Sequence, residues 1–167
     1  MARTAVETEL KVADEVWIAT ALLHREHPES ADFTVDEIVE RAKKEGLHKP
    51  LRRGVYVHAI QHCVANRPPN PGRYRMLVET RPGHRRLFRI GDSYDPQREG
   101  AKITPELENL PPRYSKLLDW YAGWNATFAA QRTDEDDPIL ALVGSGKHLW
   151  QDEDPDEYVR SLREGWE

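Results

Sequence analysis

The chain has 167 residues, of which 38% are hydrophobic and 32% charged, and its formal net charge is −5. That length suits one domain with an extension, or two very small units. The single cysteine, Cys63, excludes an internal disulfide and a zinc finger built from the cysteines of one chain. The sequence starts without an apolar signal segment, and no apolar run approaches the roughly 20 residues of a membrane span. We therefore expect a cytoplasmic protein with no membrane contact.

The charge is divided between two opposed segments. Residues 48–90 contain ten lysines and arginines and one acid, Glu79, whereas residues 134–167 contain eleven acids and three bases. This asymmetry is typical of a polyanion-binding body with an acidic tail. The scarcity of acids in 48–90 predicts few local ion-pair partners for its cations. The alternative interpretation is a solvated surface whose charges merely balance.

Three amphipathic helices are predicted before residue 67. An apolar stripe predicts the first over residues 9–26. Thr34 and Glu37 can form a capping box, and Gly46 is a left-handed terminator, so the second helix should lie between them. The third is predicted from Pro50 to about Asn66. Its core-facing residues are expected to be Tyr56, Val57, Ile60, Cys63 and Val64, and its solvent-facing residues Gly54, His58, Gln61, His62 and Ala65.

A β-hairpin is predicted after the third helix. Extended runs at 74–80 and 86–90 flank a cationic turn at 81–85. Three helices followed by a hairpin with a basic tip is the order of elements in a winged helix-turn-helix. We therefore expect a mainly α fold with a small β-hairpin (α+β), in which the winged-helix domain covers residues 1–92.

DNA is the polyanion that such a module would bind. The third helix would enter the major groove, and the hairpin tip would lie over the backbone or the minor groove. Arginine can bind phosphate or read guanine, and histidine and glutamine can reach base edges. The candidate DNA-binding residues are Lys49, Arg52, Arg53, His58, Gln61 and His62 around the third helix, and Arg81, His84, Arg85 and Arg86 at the hairpin tip. The alternative is a winged helix that contacts protein, with its arginines in surface ion pairs.

No motif predicts an enzyme, a metal site or a cofactor. His58 and His62, beside Cys63, do not complete a tetrahedral ligand set. The Gly-Ser-Gly-Lys run at 144–147 resembles a phosphate-binding loop but has Ala141 and His148 where that motif needs a glycine and a Ser or Thr. No nucleophile and base are arranged for catalysis.

Residues 93–167 are predicted to form an extension of the first domain and a C-terminal tail. Residues 93–133 contain a loop and a helix from Arg113 to about Ala130, whose stripe is Leu117, Tyr121, Trp124 and Phe128. We expect this helix to pack on the first domain or on a second copy of the chain, which would give a homodimer. Residues 134–167 carry short apolar patches on an acidic segment too small for a core of its own. Such a partly disordered tail usually becomes ordered on a partner.

The tail resembles a known family. The strings DPILALVGSGKHLW (137–150) and DEYVRSLREGW (156–166), with Asp152-Glu-Asp154 between them, resemble the C-terminal toxin-binding segment of VapB-type antitoxins of type II toxin–antitoxin systems. The segment from 137 to 166 covers about a fifth of the chain. Residues 9–90 resemble winged helix-turn-helix modules of bacterial regulators and restriction-linked proteins. VapB-type antitoxins usually carry a ribbon-helix-helix or swapped-hairpin DNA-binding part instead.

The resemblance implies a PIN-domain ribonuclease as partner, with operator DNA bound by the other end of the chain. Arg160 or Arg163 would then enter the toxin's acidic Mg²⁺ site, while apolar anchors fill grooves on its surface. The implied toxin-binding residues are Leu140, Leu142, Lys147, Leu149, Trp150, Tyr158, Arg160, Leu162, Arg163 and Trp166. Two other functions stay open: a transcriptional regulator or nucleoid-type DNA binder whose acidic tail is autoinhibitory, and an accessory subunit of a restriction or defence complex.

Overall fold

Helix α1 (Val12–Glu26) forms the centre of the hydrophobic core in the computed structural model, which describes residues 10–135. Every residue from Ala13 to His24 is buried, because the other elements of the compact unit surround the helix. Because this stretch is covered on all sides, its polar residues, including Asp14 and His24, are buried as well. Burial lowers the pKa of His24 to about 4, so its neutral ring accepts a hydrogen bond from the Leu87 N–H.

Helix α2 (Val35–Glu45) confirms the prediction made from its capping residues. The Thr34 side chain accepts from the Glu37 N–H, and the Glu37 carboxylate accepts from the Thr34 N–H. Gly46 ends the helix with a left-handed φ of 66°. Residues that satisfy their own backbone groups locally make both helix ends predictable from sequence.

The third helix is shorter than predicted. It comprises Gly54–Val57 and a following π-helical turn, His58–His62, which are together called α3 here. It ends before Asn66 because the next backbone groups pair elsewhere: the Ala65 N–H donates to the Leu77 carbonyl, and the N–H groups of Met76 and Leu77 donate to Cys63.

Three short antiparallel strands form one sheet in the order β1-β3-β2. They are β1 (Phe33–Thr34), β2 (Leu77–Arg81) and β3 (His84–Leu87). The predicted hairpin is confirmed, but its turn is only Pro82-Gly83, with Gly83 at φ 76°. Strand β1 was not predicted; it pairs Phe33 with Arg85 and Thr34 with His84. The coarse fold class, α-rich with a small antiparallel sheet, is as predicted.

The segment after the sheet continues the same core. Three short 3-10 turns lead to helix α4 (Ser115–Glu135). Leu110, Tyr114, Leu117 and Tyr121 belong to the hydrophobic cluster around α1, and the Tyr121 ring lies edge-on to Trp17 at 5.6 Å. The chain divides into two compact units after Ala126; the second, from Thr127, is described only within α4.

Candidate functional site

The outward face of α3 is an apolar stripe that begins with a cation. Arg53, Tyr56, Val57 and Ile60 are spaced as one helical face, and Tyr56 and Val57 are 50% and 40% exposed. The predicted assignment of faces is therefore wrong for Tyr56 and Val57. The side buried against α1 carries the small residues Val55, Ala59 and Cys63.

Close approach of α1 and α3 explains this orientation. A Cβ added at Gly54 would lie 3.4 Å from a Val12 methyl, so little space separates the two helices. Small side chains fit that contact, whereas a tyrosine does not. Ala65, predicted to be solvent-facing, is buried beside the hairpin in a second small cluster with Val78 and Phe88.

The other predicted contacts on α3 lie beneath the loop of residues 67–74. His58 donates from Nδ1 to the Gly54 carbonyl at 2.8 Å, and Gln61 donates to the Pro68 carbonyl at 2.7 Å. The His62 ring lies 4.8 Å from the His58 ring and packs directly on Gly72. All three side chains are half-buried, so they do not form the open face that the sequence predicted.

Arg52 is partly buried and is paired with an acid of α1. Its guanidinium donates to the Glu15 carboxylate at 2.7 and 2.9 Å and to the Leu10 carbonyl at 2.6 Å. Glu15 is only 1% exposed. The expectation that Arg52 is a surface cation available to DNA is wrong, because it neutralises a buried acid on α1.

Arg85 also points inward. Side chains alternate along a strand, and the two-residue turn places Arg85 and Leu87 on the buried face of β3. The Arg85 guanidinium, 2% exposed, donates to the Ala59 and Ile60 carbonyls and lies 3.3 Å from Glu79. Its prediction as a phosphate contact at the hairpin tip is therefore wrong.

Arg86 and His84 lie on the outer face of β3 but have acidic partners. Arg86 makes a two-bond contact with Asp92 at 2.6 and 2.8 Å. Burial would raise the pKa of Asp92, yet Arg86 and the Arg89 N–H hold it below its ordinary value. His84 Nδ1 lies 3.0 Å from Asp32, whose pKa is lowered chiefly by a hydrogen bond from Thr80, with further bonds from Arg81 and His84.

Acidic residues outside 48–90 thus lie close in space to the cations of that region. Glu15, Asp32 and Asp92 pair with cations of that region, and Glu79 accepts a two-bond contact from Arg67. The prediction of few ion-pair partners is wrong, because distance along the chain does not measure distance in the fold.

Three of the predicted cations stay open to solvent. Lys49 and Arg53, before and at the start of α3, are exposed and make no hydrogen bond or ion pair within residues 10–135. Arg81, at the hairpin turn, is 63% exposed and contacts Asp32 at 3.3 Å. Of the predicted DNA-binding residues, these three cations are the ones that the fold leaves exposed. The apolar stripe, which was predicted to lie in the core, is exposed beside Arg53.

A cavity of about 560 Å³ opens between α2, α3 and the hairpin turn. Tyr56 and Ile60 of the stripe form one wall, and Pro82 and Gly83 form another. Its lining is Thr34, Val35, Asp36, Tyr56, Ile60, Arg67, Pro82, Gly83, His84 and Arg85. Tyr56 and Ile60 therefore belong to a concave surface bordered by the hairpin, and Val57 lies beside them on the same helical face.

Sequence reasoning missed the stripe and one buried arginine. The apolar character of Tyr56 and Val57 predicts a core position, and no sequence signal separates their face from the one that α1 covers. Arg98 is fully buried and donates to five backbone carbonyls, those of Gln61, His62, Arg67, Pro68 and Tyr74. It satisfies the carbonyls at the end of α3 and fixes the covering loop.

The implied toxin-binding residues, from Leu140 to Trp166, lie outside the described residues. Within residues 10–135 no group of three or more His, Cys, Asp or Glu residues is arranged to hold a metal ion. No helix in that part of the chain is long and apolar enough to cross a membrane.

No protein-family model matches this chain, and no curated protein or solved structure is significantly similar to it.

Proposed function

We propose that the chain is the antitoxin of a type II toxin–antitoxin system, in which the helical body binds operator DNA and the acidic C-terminal segment neutralises a PIN-type ribonuclease. The observation that carries the DNA-binding half is the exposed stripe of α3 with open cations at its start and at the hairpin turn. The sequence of the tail carries the other half.

The order of elements supports a winged-helix interpretation of the body. Helices α1, α2 and α3 precede the hairpin, and β1 joins it to give the order β1-β3-β2. In a winged helix the second helix of the α2–α3 pair lies in the major groove. The exposed face of α3 is then the face toward the bases, and the Pro82-Gly83 turn is the tip of the wing.

Substitution of the open cations tests DNA binding. We expect Arg53→Ala to weaken binding about tenfold and to lower the slope of log affinity against log salt by about one, because one phosphate contact is lost. Arg81→Ala is expected to act in the same way from the wing. The measurement is fluorescence anisotropy of labelled duplex DNA over a salt series, with the full-length protein.

Lys116→Ala is the matched control, because it removes an exposed positive charge on α4. It should change the affinity and the slope much less than Arg53→Ala. Equal salt slopes for the wild type, Arg53→Ala and Arg81→Ala would exclude this surface as the DNA interface.

Substitution of the tail tryptophans tests toxin neutralisation. Aromatic anchors usually dominate such interfaces, so Trp150→Ala or Trp166→Ala should weaken toxin binding about 30-fold, or about 2 kcal/mol. The partner is first captured from the native host with the full chain and identified as a PIN-type ribonuclease by mass spectrometry and by RNA cleavage. Titration calorimetry then gives the affinities.

Gln151→Ala, next to Trp150, is the control and should keep full affinity. If the captured ribonuclease binds both tryptophan variants as tightly as the wild type, the tail is not its binding segment. If no ribonuclease is captured and tail variants bind DNA more tightly than the wild type, the autoinhibited regulator replaces the antitoxin.

A further inference from the structure

We propose that the apolar part of the α3 stripe reads thymine, with Val57 as a specificity-determining residue that contacts the 5-methyl group of the base in the major groove. This inference rests on the proposed DNA-binding function and names the base chemistry that the site would select.

Two adjacent exposed apolar side chains on a helix need an explanation. The described residues expose four large hydrophobic side chains, and only Tyr56 and Val57 among them lie next to each other on one helical face; Ile90 and Leu107 stand apart in other segments. Scattered single exposures are ordinary, whereas a cluster beside a cavity is typical of a binding surface.

The charge around the stripe favours a nucleic acid over a protein partner. Residues 50–66 contain no Asp or Glu. Arg53 lies one turn before Tyr56 and Val57 on the same face, exposed and without a partner in the described part of the chain, and Lys49 precedes it. The one carboxylate among the residues that line the cavity is that of Asp36, which belongs to α2. We therefore expect phosphates on the Lys49–Arg53 side and bases along the stripe.

The chemistry of Val57 then restricts what it can recognise. Valine has no donor or acceptor, and its branched Cβ holds its two methyl groups in few rotamers. In the major groove all four bases present hydrogen-bonding groups, and thymine alone also presents a methyl group. Thymine is thus the base whose edge Val57 can contact without leaving a polar group unpaired. Tyr56 extends the apolar surface and adds one hydroxyl.

Removal of single thymine methyl groups tests the proposal. The full-length protein first selects duplexes from a random library of about 20 base pairs, two turns of DNA. The enriched duplex is then synthesised with deoxyuridine in place of each thymidine in turn, which removes only the methyl group. At one or two positions we expect wild-type affinity to fall about fivefold.

We expect Val57→Ala to bind the unmodified duplex about as weakly as the wild type binds the duplex in which deoxyuridine replaces the thymidine that Val57 contacts. The affinity of Val57→Ala should not change further when that thymidine is replaced. Leu107→Ala, which shortens an exposed apolar side chain outside the stripe, should keep the thymine dependence. Thermal unfolding of both variants checks that they are folded, as expected for side chains at least 40% exposed.

The outcomes separate this inference from the function on which it rests. If the protein enriches a duplex but no deoxyuridine substitution weakens binding, or if Val57→Ala keeps the same sensitivity, thymine reading is wrong and DNA binding stands. If no duplex is enriched, both fail, and the stripe is a protein-binding surface.

Discussion

Replacing Arg98 by methionine is expected to lower the free energy of unfolding by about 4 kcal/mol. The guanidinium has five N–H groups, and each donates to a backbone carbonyl at 2.6 to 3.4 Å. Methionine keeps much of the side chain's volume but donates nothing, so five carbonyls of α3 and of the loop after it lose a charged donor. The Pro68 carbonyl keeps its hydrogen bond from Gln61, and the His62 carbonyl keeps the one from the Tyr74 N–H. Urea unfolding followed by circular dichroism measures the loss.

Two further variants show that the loss reflects hydrogen bonding. Arg98→Lys keeps the charge but has only three donors on one atom, so we expect it to recover about half of the lost stability at most. Arg73→Met removes an exposed arginine of the loop and should change stability by less than about 0.5 kcal/mol. A cost below about 1 kcal/mol for Arg98→Met would show that these carbonyls find other partners.

Replacing Arg52 by alanine is expected to cost about 3 to 4 kcal/mol of stability. Glu15 is buried on α1 and receives two hydrogen bonds from Arg52. Without its cation, the carboxylate keeps the cost of leaving water and loses the attraction that offset it. The free energy of unfolding from urea titration is the observable.

A double substitution distinguishes the lost pair from lost packing. The variant with Arg52→Met and Glu15→Met removes both charges and should be more stable than Arg52→Ala alone, because no unpaired charge stays buried. Lys43→Ala removes the cation of an exposed pair with Glu40 and should cost less than about 0.5 kcal/mol. If the double variant is as unstable as Arg52→Ala, the unpaired charge is not the cause.

The features predictable from sequence are those that neighbouring residues determine. Helix α2 follows from Thr34, Glu37 and Gly46, whose side chain or backbone satisfies the helix ends locally. The hairpin follows from apolar alternation around a Pro-Gly turn. In each case the residues that decide the structure lie within a few positions of it.

The face of α3 could not be predicted because two stripes compete. Val55, Ala59 and Cys63 form one apolar face, and Tyr56, Val57 and Ile60 form another. Periodicity identifies both, but only contact with α1 decides which one is buried. Contact with α1 buries the first of these faces, so Tyr56 and Val57 are exposed although they are apolar.

The roles of Arg52, Arg85 and Arg98 could not be predicted because their partners are distant in sequence or carry no side-chain signal. Arg85 faces the interior because the turn has two residues and not the five predicted, and a shift of one position in a strand reverses its faces. Arg52 depends on Glu15 of α1. Arg98 binds backbone carbonyls, which every residue carries and no motif marks.

A fragment ending at Asp92 would contain every helix and strand of the proposed DNA-binding module but would lack Arg98. The end of α3 would then be left without the side chain that closes it, and the loop over His62 would lose its anchor. Recombination that transferred only those helices and strands to another protein would transfer a weakened module. The stretch of chain that must be inherited together is therefore longer than the stretch that would touch DNA.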